Sequence, residues 1–396
     1  MRAETWKRAF LYAGIVFASA LIAIAIAELY FSSRAQSRLT IQFDNRLYPY
    51  VMFRPQENST YITPGTLVLS HYTSKVYHYT NVDGFRVSSP DYSLPKAKPP
   101  RQLRIAVLGA SAIQLGSTFE TTLPGSLKSF LRRQYPGRDI EVINAGITAC
   151  VSRQSIAHLV FTVADYHPDI VILYDGVNDI GLPVTYESRP NFPYNFQTME
   201  EAWKLYRQSY QEPLFRLILN RSYVYRAVRS RFRDPSKREN TVANPFIGAN
   251  AIPAERVIQD KALVRDHIRQ YLSNWEKLIE LSAAYKYKPV CVLQPTGGLD
   301  RDYGLSLTMR DFHLDKRTAS NWLEAFSAFY EEADRQIEAL RAVYPGVPFI
   351  NLRDSLKPAQ KHFWDLVHVY DETNMLLAER LYRDTRHIID DLLSRR

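Results

Sequence analysis

An α/β fold built on a parallel sheet is what this sequence predicts, and three observations carry that reading. From Arg104 onward, short aliphatic and β-branched runs alternate with longer stretches of helical periodicity, the rhythm of strand–helix–strand units whose strands lie parallel. The strand runs, such as Ile140-Glu141-Val142-Ile143 and Ile170-Val171-Ile172-Leu173-Tyr174, are nearly continuous in apolar character, as strands covered on both faces are. Finally, Ser111, Gly146 and Asn178 each follow the end of a different strand. A parallel sheet brings such positions to one edge, where ligands bind, although dozens of residues separate them.

Taken in order, the chain opens with Arg2, Lys7 and Arg8, then an uncharged run from Ala9 to Ala27 that continues through Leu29, Tyr30 and Phe31 with Glu28 as its interruption. Roughly 20 apolar residues span a bilayer as a helix. The positive charges before the run place the N-terminus in the cytoplasm and the remaining chain outside. Ala25-Ile26-Ala27 has the small-x-small form of a signal cleavage site, but the run exceeds a usual signal core, so residues 1–31 are read as an uncleaved anchor. Residues 32–100 are rich in Tyr, Thr and Pro and read as a strand-rich extension that ends in the stiff linker Pro95-Lys96-Ala97-Lys98-Pro99-Pro100. The remainder, 101–396, is the expected catalytic domain.

Within it the strand Arg104–Leu108 leads to a helix with apolar positions Leu123, Leu127, Phe130 and Leu131, stopped at Tyr135-Pro136-Gly137. The strand at 140–144, a helix at about 152–166 closed by His167-Pro168, and a strand at 169–174 follow. The rhythm breaks over about 185–260, read as a helical insertion with aromatic residues and a basic run comprising Arg226, Arg229, Arg231, Arg233, Lys237 and Arg238. That run is a solvated face or a surface for anionic lipid or an acidic glycan. A helix at about 262–286, the strand Pro289–Leu293, a helix at about 316–343, a strand from Val347 to Leu352 and a C-terminal helix from about Asp371 complete the pattern.

The composition excludes some classes. A hydrophobic share of 46% with 23% charged residues indicates a globular chain rather than a disordered one. The formal charge is +9, yet no nucleic-acid-binding module accompanies it, so no nucleic-acid partner is expected. Cys150 and Cys291 fall in or beside apolar strands and read as small core residues without metal spacing. His158, His167, His267, His313, His362 and His387 show no ligand clustering and read as structural or surface histidines. No metal or cofactor is expected. Gln294-Pro295, at the end of a strand, is either a strand terminator or part of a substrate wall.

The chemistry-bearing residues form one set. Serine is a weak nucleophile that needs a base to take its proton and an acid to orient the base. His368 is the candidate base, and Asp365, three residues before it, is the orienter. A developing oxyanion needs preorganised donors, and the backbone N–H groups of Ser111 and Gly146 with the side-chain amide of Asn178 are the candidates. Each has a plainer alternative: Ser111 as a helix cap, Asn178 and Gly146 as turn residues, and Asp365 and His368 as a capping pair.

Four blocks together resemble the SGNH hydrolases, the GDSL-type esterases and lipases: Val107-Leu108-Gly109-Ala110-Ser111, Val142-Ile143-Asn144-Ala145-Gly146, Tyr174-Asp175-Gly176-Val177-Asn178-Asp179 and Phe363-Trp364-Asp365-Leu366-Val367-His368, the last continuing through Asp371-Glu372 and Asn374. The resemblance covers about residues 100–390 in the family's order. It implies a three-layer α/β/α sandwich with a five-stranded, flavodoxin-like parallel sheet, and Ser111, Gly146, Asn178 and His368 as the namesake residues. The chain departs from the pattern at Ala110, where the family often has aspartate, a residue that is not the catalytic acid.

The anchored layout resembles bacterial envelope members that modify polysaccharides. The resulting expectation is a single-pass inner-membrane serine esterase, its catalytic domain on the periplasmic side, acting on O-acyl and especially O-acetyl esters of an envelope or exported glycan. Rivals are an acyltransferase, a lipid esterase or lysophospholipase, and a non-catalytic glycan-binding scaffold of an envelope assembly with partner proteins.

Overall fold

A computed structural model describes residues 2–39, 45–63, 76–193 and 251–396, together with 196, 200, 222, 224 and 225. Most of the expected insertion, including its basic run at 226–238, lies outside the described residues. The chain divides into two units, Met1–Phe43 with Gln197–Glu239, and Asp44–Phe196 with Asn240–Arg396.

The first unit contains α1 (Arg2–Leu39). Its segment Leu11–Tyr30 is long and apolar enough to cross a membrane. Glu28, the charge that interrupts the apolar run, accepts hydrogen bonds from the Val224 N–H at 2.9 Å and the Ser222 hydroxyl at 3.0 Å.

The second unit is organised by an eight-stranded sheet. Five adjacent strands are parallel: β6 (Leu103–Gly109), β7 (Ile140–Gly146), β8 (Ile170–Asp175), β9 (Lys288–Leu293) and β10 (Phe349–Asn351). Their spatial order is β10-β9-β8-β6-β7. The chain leaves β6 toward β7 on one side and then crosses to β8 on the other. The carboxyl ends of β6 and β8 therefore flank the switch point, where a crevice opens. β7 is not the end of the sheet. β3 (Thr60–Thr63), β4 (Val76–Thr80) and β5 (Arg86–Val87) continue it antiparallel, with Arg86 opposite Asn144. The expected five-stranded sheet is thus eight strands wide, because β3, β4 and β5 extend it at β7 instead of standing apart from it. β1 (Asn45–Tyr48) and β2 (Met52–Pro55) form a separate antiparallel hairpin.

Alternation along the strands sorts the core. Ala106, Leu108, Val171, Leu173, Cys291 and Leu293 face one side and pack with Ile268, Tyr271, Trp275, Phe326, Phe329 and Tyr330. These come from α7 (Lys261–Tyr285) and α9 (Lys316–Val343), beside α4 (Ser152–Phe161) and α5 (Val177–Thr185). Ile105, Val107, Val142, Ile172, Val290 and Val292 face the other side, against Leu127, Leu131, Leu377 and Leu381. Those belong to α3 (Leu123–Gln134) and α10 (Asp371–Ser394); the unit also contains α2 (Ser111–Gln114), α6 (Ala254–Gln259) and α8 (Arg301–Phe312). Each fully buried Leu, Ile, Val or Phe contributes about 1.5–3 kcal/mol, so a sheet covered on both faces makes a rigid platform for the loops at its carboxyl edge. Cys150 and Cys291 are free thiols buried in this packing.

Candidate active site

Ser111 follows β6 directly. At Gly109 the chain turns with φ 156°, and a Cβ there would collide with the Tyr174 carbonyl and the Ile113 side chain, so only glycine lets β6 end this close to β8. The helix that Ser111 opens is a single turn, Ser111–Gln114, ahead of the longer helix Leu123–Gln134. As its first residue, Ser111 has a backbone N–H without an acceptor in the helix.

His368 reaches Ser111 from the loop before α10. Its Nε2 lies 2.7 Å from Ser111 Oγ, and its Nδ1 lies 2.6 Å from Asp365 Oδ2. A carboxylate can only accept, so Nδ1 carries the hydrogen, and Nε2 is left to accept from the serine hydroxyl. The other oxygen of Asp365 takes the N–H groups of Val367 at 2.7 Å and His368 at 2.5 Å. Burial alone would raise the Asp365 carboxyl. The facing His368 and these hydrogen bonds outweigh burial and hold it below its ordinary value, so Asp365 is ionised. Trp364 stacks on His368, ring centroids 5.1 Å apart and 16° from parallel. Beside the imidazole is a cavity of about 10 Å³ lined by Ala112, Leu115, Gly116, Trp364, Val369 and Asn374.

The histidine loop is held from several directions. Tyr303 donates to the Phe363 carbonyl, Thr296 to the Leu366 carbonyl, and Arg310 to the Trp364 carbonyl. Gln294 donates to the Val367 carbonyl at 3.3 Å. Of the two readings open for Gln294, the side chain thus takes up a third task, bracing the residue beside His368.

The two oxyanion donors expected beside the Ser111 N–H are placed differently. Asn178, half-buried in the first turn of α5, gives one amide hydrogen to the Cys150 carbonyl at 2.7 Å, which leaves the second hydrogen of its NH₂ group. Gly146 departs from expectation. Its single N–H donates to Asn144 Oδ1 at 3.2 Å, so it is not presented as a free donor. The reason for glycine there is steric, since a Cβ would sit 2.7 Å from the Gln114 backbone nitrogen. Asn144 itself braces the serine turn, donating to the Ile113 carbonyl at 2.9 Å.

Three supports escaped sequence reasoning. Arg86, buried in β5, donates to the carbonyls of Gln114 and Gly116, just past the serine turn. Ala110 packs in an apolar cluster with Val51, Phe53, Ile147 and Cys150, so the hairpin region of the N-terminal extension covers the position where the family often has aspartate. Gln154 ties the same region to α4, donating to the Val51 carbonyl at 2.9 Å. The only sequence signals were an arginine and a valine in segments too short to show what they pair with.

Among the described residues no group of His, Cys, Asp and Glu side chains is arranged to hold a metal ion. No family model and no curated protein matches the chain. Solved structures similar to it include an α/β-hydrolase enzyme from the metagenome of Lake Arreo, Spain, at 11% identity, TM-score 0.37, covering 72% of this chain and 94% of the other. An acetylxylan esterase from Geobacillus stearothermophilus is similar at 14% identity and TM-score 0.36, covering 71% and 93%. A further acetyl xylan esterase is similar at 13% identity and TM-score 0.36, covering 71% and 98%.

Proposed function

We propose that this protein is a serine esterase whose nucleophile is Ser111, base His368 and orienting acid Asp365. One observation carries the reading: the continuous hydrogen-bond chain from Ser111 Oγ through both ring nitrogens of His368 to Asp365. In the proposed cycle, His368 Nε2 takes the hydroxyl proton as Oγ attacks an ester carbonyl. The Ser111 N–H and the second amide hydrogen of Asn178 receive the oxyanion. The tetrahedral intermediate collapses as His368 returns the proton to the leaving alcohol, which leaves an acyl-serine. Water then gives its proton to His368 and attacks the acyl carbon; the bond to Oγ breaks as His368 returns that proton to Ser111, and the carboxylic acid leaves.

The substrate class in this reading is an O-acetyl ester on an envelope or exported glycan. The cavity beside His368 supports a short acyl group, since about 10 Å³ is roughly the room one water-sized group occupies. The apolar segment Leu11–Tyr30 supports a single-pass anchor, and the charges before it favour a catalytic unit outside the cytoplasm.

The test is labelling of the full-length chain in detergent with a fluorophosphonate, alongside Ser111→Ala and His368→Ala. Labelling of the wild type and its loss in both variants is the expected result. A folded wild-type chain that stays unlabelled would overturn the reading in favour of a binding scaffold. Release of free acetate, rather than transfer to an added glycan, separates hydrolase from acyltransferase.

A further inference from the structure

Beneath the proposed site lies a buried polar network that the reaction scheme does not use. Asp179, 4% exposed, takes the Ser152 hydroxyl at 2.6 Å and the Ser152 N–H at 3.0 Å. Ser152 Oγ in turn accepts from Asn274 at 2.7 Å, and the same amide donates to Asn191 at 2.6 Å. Because Ser152 Oγ receives one hydrogen from Asn274, its own hydrogen points to Asp179, which must accept. The Asp179 carbonyl accepts from His267 Nε2 at 2.8 Å, pinning α5 to α7.

The neighbouring residue makes the arrangement consequential. Asn178 holds the Cys150 carbonyl while Asp179 holds Ser152. Two adjacent residues of α5 thus grip two positions of one loop. Between β7 and that grip stands Ala149 with φ 63°, a left-handed conformation that costs a Cβ-bearing residue about 1–2 kcal/mol. A strained loop relaxes when its restraint goes, and the Asn178 amide, tied to that loop, would turn with it.

We propose that Asp179 is a positioning residue for the oxyanion side of the site, acting through Ser152 to fix the 147–152 loop and so the direction of the Asn178 amide. This rests on the serine esterase reading. A second buried carboxylate, Asp175, closes β8 four residues earlier and accepts from Tyr271 at 2.8 Å and Trp275 at 3.1 Å. It belongs to the same interior but does not touch the loop, and so supplies the control.

The experiment compares kcat and KM for p-nitrophenyl acetate in full-length wild type, Asp179→Asn, Ser152→Ala, Tyr271→Phe and Ser111→Ala, with a thermal midpoint for each. Misdirecting one oxyanion donor costs about 10²-fold in turnover. Asp179→Asn is expected to lose about that factor in kcat, and Ser152→Ala about 10-fold, as the smaller lesion. KM should stay within about twofold in both, because the oxyanion forms only in the transition state. Tyr271→Phe should lower the thermal midpoint comparably and keep its turnover. Turnover that falls in all three in step with the thermal midpoint, or a rise in KM alone, overturns the proposal. Turnover abolished by Ser111→Ala but untouched by Asp179→Asn overturns it while leaving the serine reading intact. Turnover that survives Ser111→Ala removes both.

Discussion

Trp364 lies flat against His368, its ring 5.1 Å from the imidazole and within 16° of parallel. The indole face restricts the imidazole to the plane in which one nitrogen meets Ser111 and the other meets Asp365. It also presents π density to a ring that becomes positively charged during the proposed reaction, an interaction of about 0.5–1 kcal/mol at a partly exposed site. Trp364→Ala is therefore expected to lower kcat by about 3- to 10-fold, and Trp364→Phe by less. Steady-state kinetics on p-nitrophenyl acetate checks this. An unchanged kcat in Trp364→Ala would show the stack to be packing only.

Asp365 fixes the histidine tautomer. Asp365→Asn places an NH₂ or a carbonyl where an acceptor is required, so Nδ1–H is no longer favoured and Nε2 loses its role as base. A drop of about 10⁴-fold in kcat is expected. Intact-protein mass spectrometry of fluorophosphonate labelling reads the same loss independently of substrate.

Ala110 sits in an apolar setting. Its methyl lies among Val51, Phe53, Ile147 and Cys150, mainly apolar surroundings for a carboxylate. Ala110→Asp, which introduces the residue often present in the hydrolases that the sequence resembles, is expected to destabilise the chain by about 3 kcal/mol. Replacing Val51 with Ser in the same background should recover part of the loss by supplying a hydroxyl. Urea unfolding of the three proteins gives the comparison.

Burial lowers three histidines: His158 to about 3 with Arg54 adding to the effect, His78 to about 3 with Arg86 adding, and His267 to about 4 against the pull of its bond to the Asp179 carbonyl. Below pH 6.5, the ordinary histidine value, the unfolded chain binds protons that the native chain refuses, so each histidine makes stability fall with acid. Asp179, raised to about 6 chiefly by burial, works the other way, because its native form takes a proton first. His158→Leu should flatten the decline between pH 6 and 4 by about 1.4 kcal/mol per pH unit. Unfolding free energies at pH 6, 5 and 4 measure the difference, and equal slopes in variant and wild type would refute it.

The parts of the site that lie at strand ends were legible because parallel topology, not local detail, brings them together. Ser111 and Asn178 follow from the strand runs that precede them, whereas His368 follows from the carboxylate three residues before it. Gly146 was named for a backbone donor, yet its N–H turns back to Asn144, and no spacing in the sequence reveals a side chain folding onto its own strand. The width of the sheet was hidden for a related reason. β5 is two residues long, too short for any alternation to announce it, and its partner β7 is more than fifty residues away. Gln294 was legible as a strand terminus but not as a brace for the Val367 carbonyl, since that depends on where a distant loop returns. The basic run at 226–238 lies outside the described residues.

The pairing of β5 with β7 bears on where this protein can be cut. A fragment beginning at the proline-rich stretch near residue 100 would retain every residue of the proposed triad, but it would remove β3, β4 and β5, which extend the sheet beyond β7, and so open the β7 edge at Asn144, where β5 pairs. An unprotected strand of that kind is a template for another chain. Such a fragment would lead to self-association and turbidity rather than a soluble enzyme, whereas one that begins at about residue 44 would keep β7 covered.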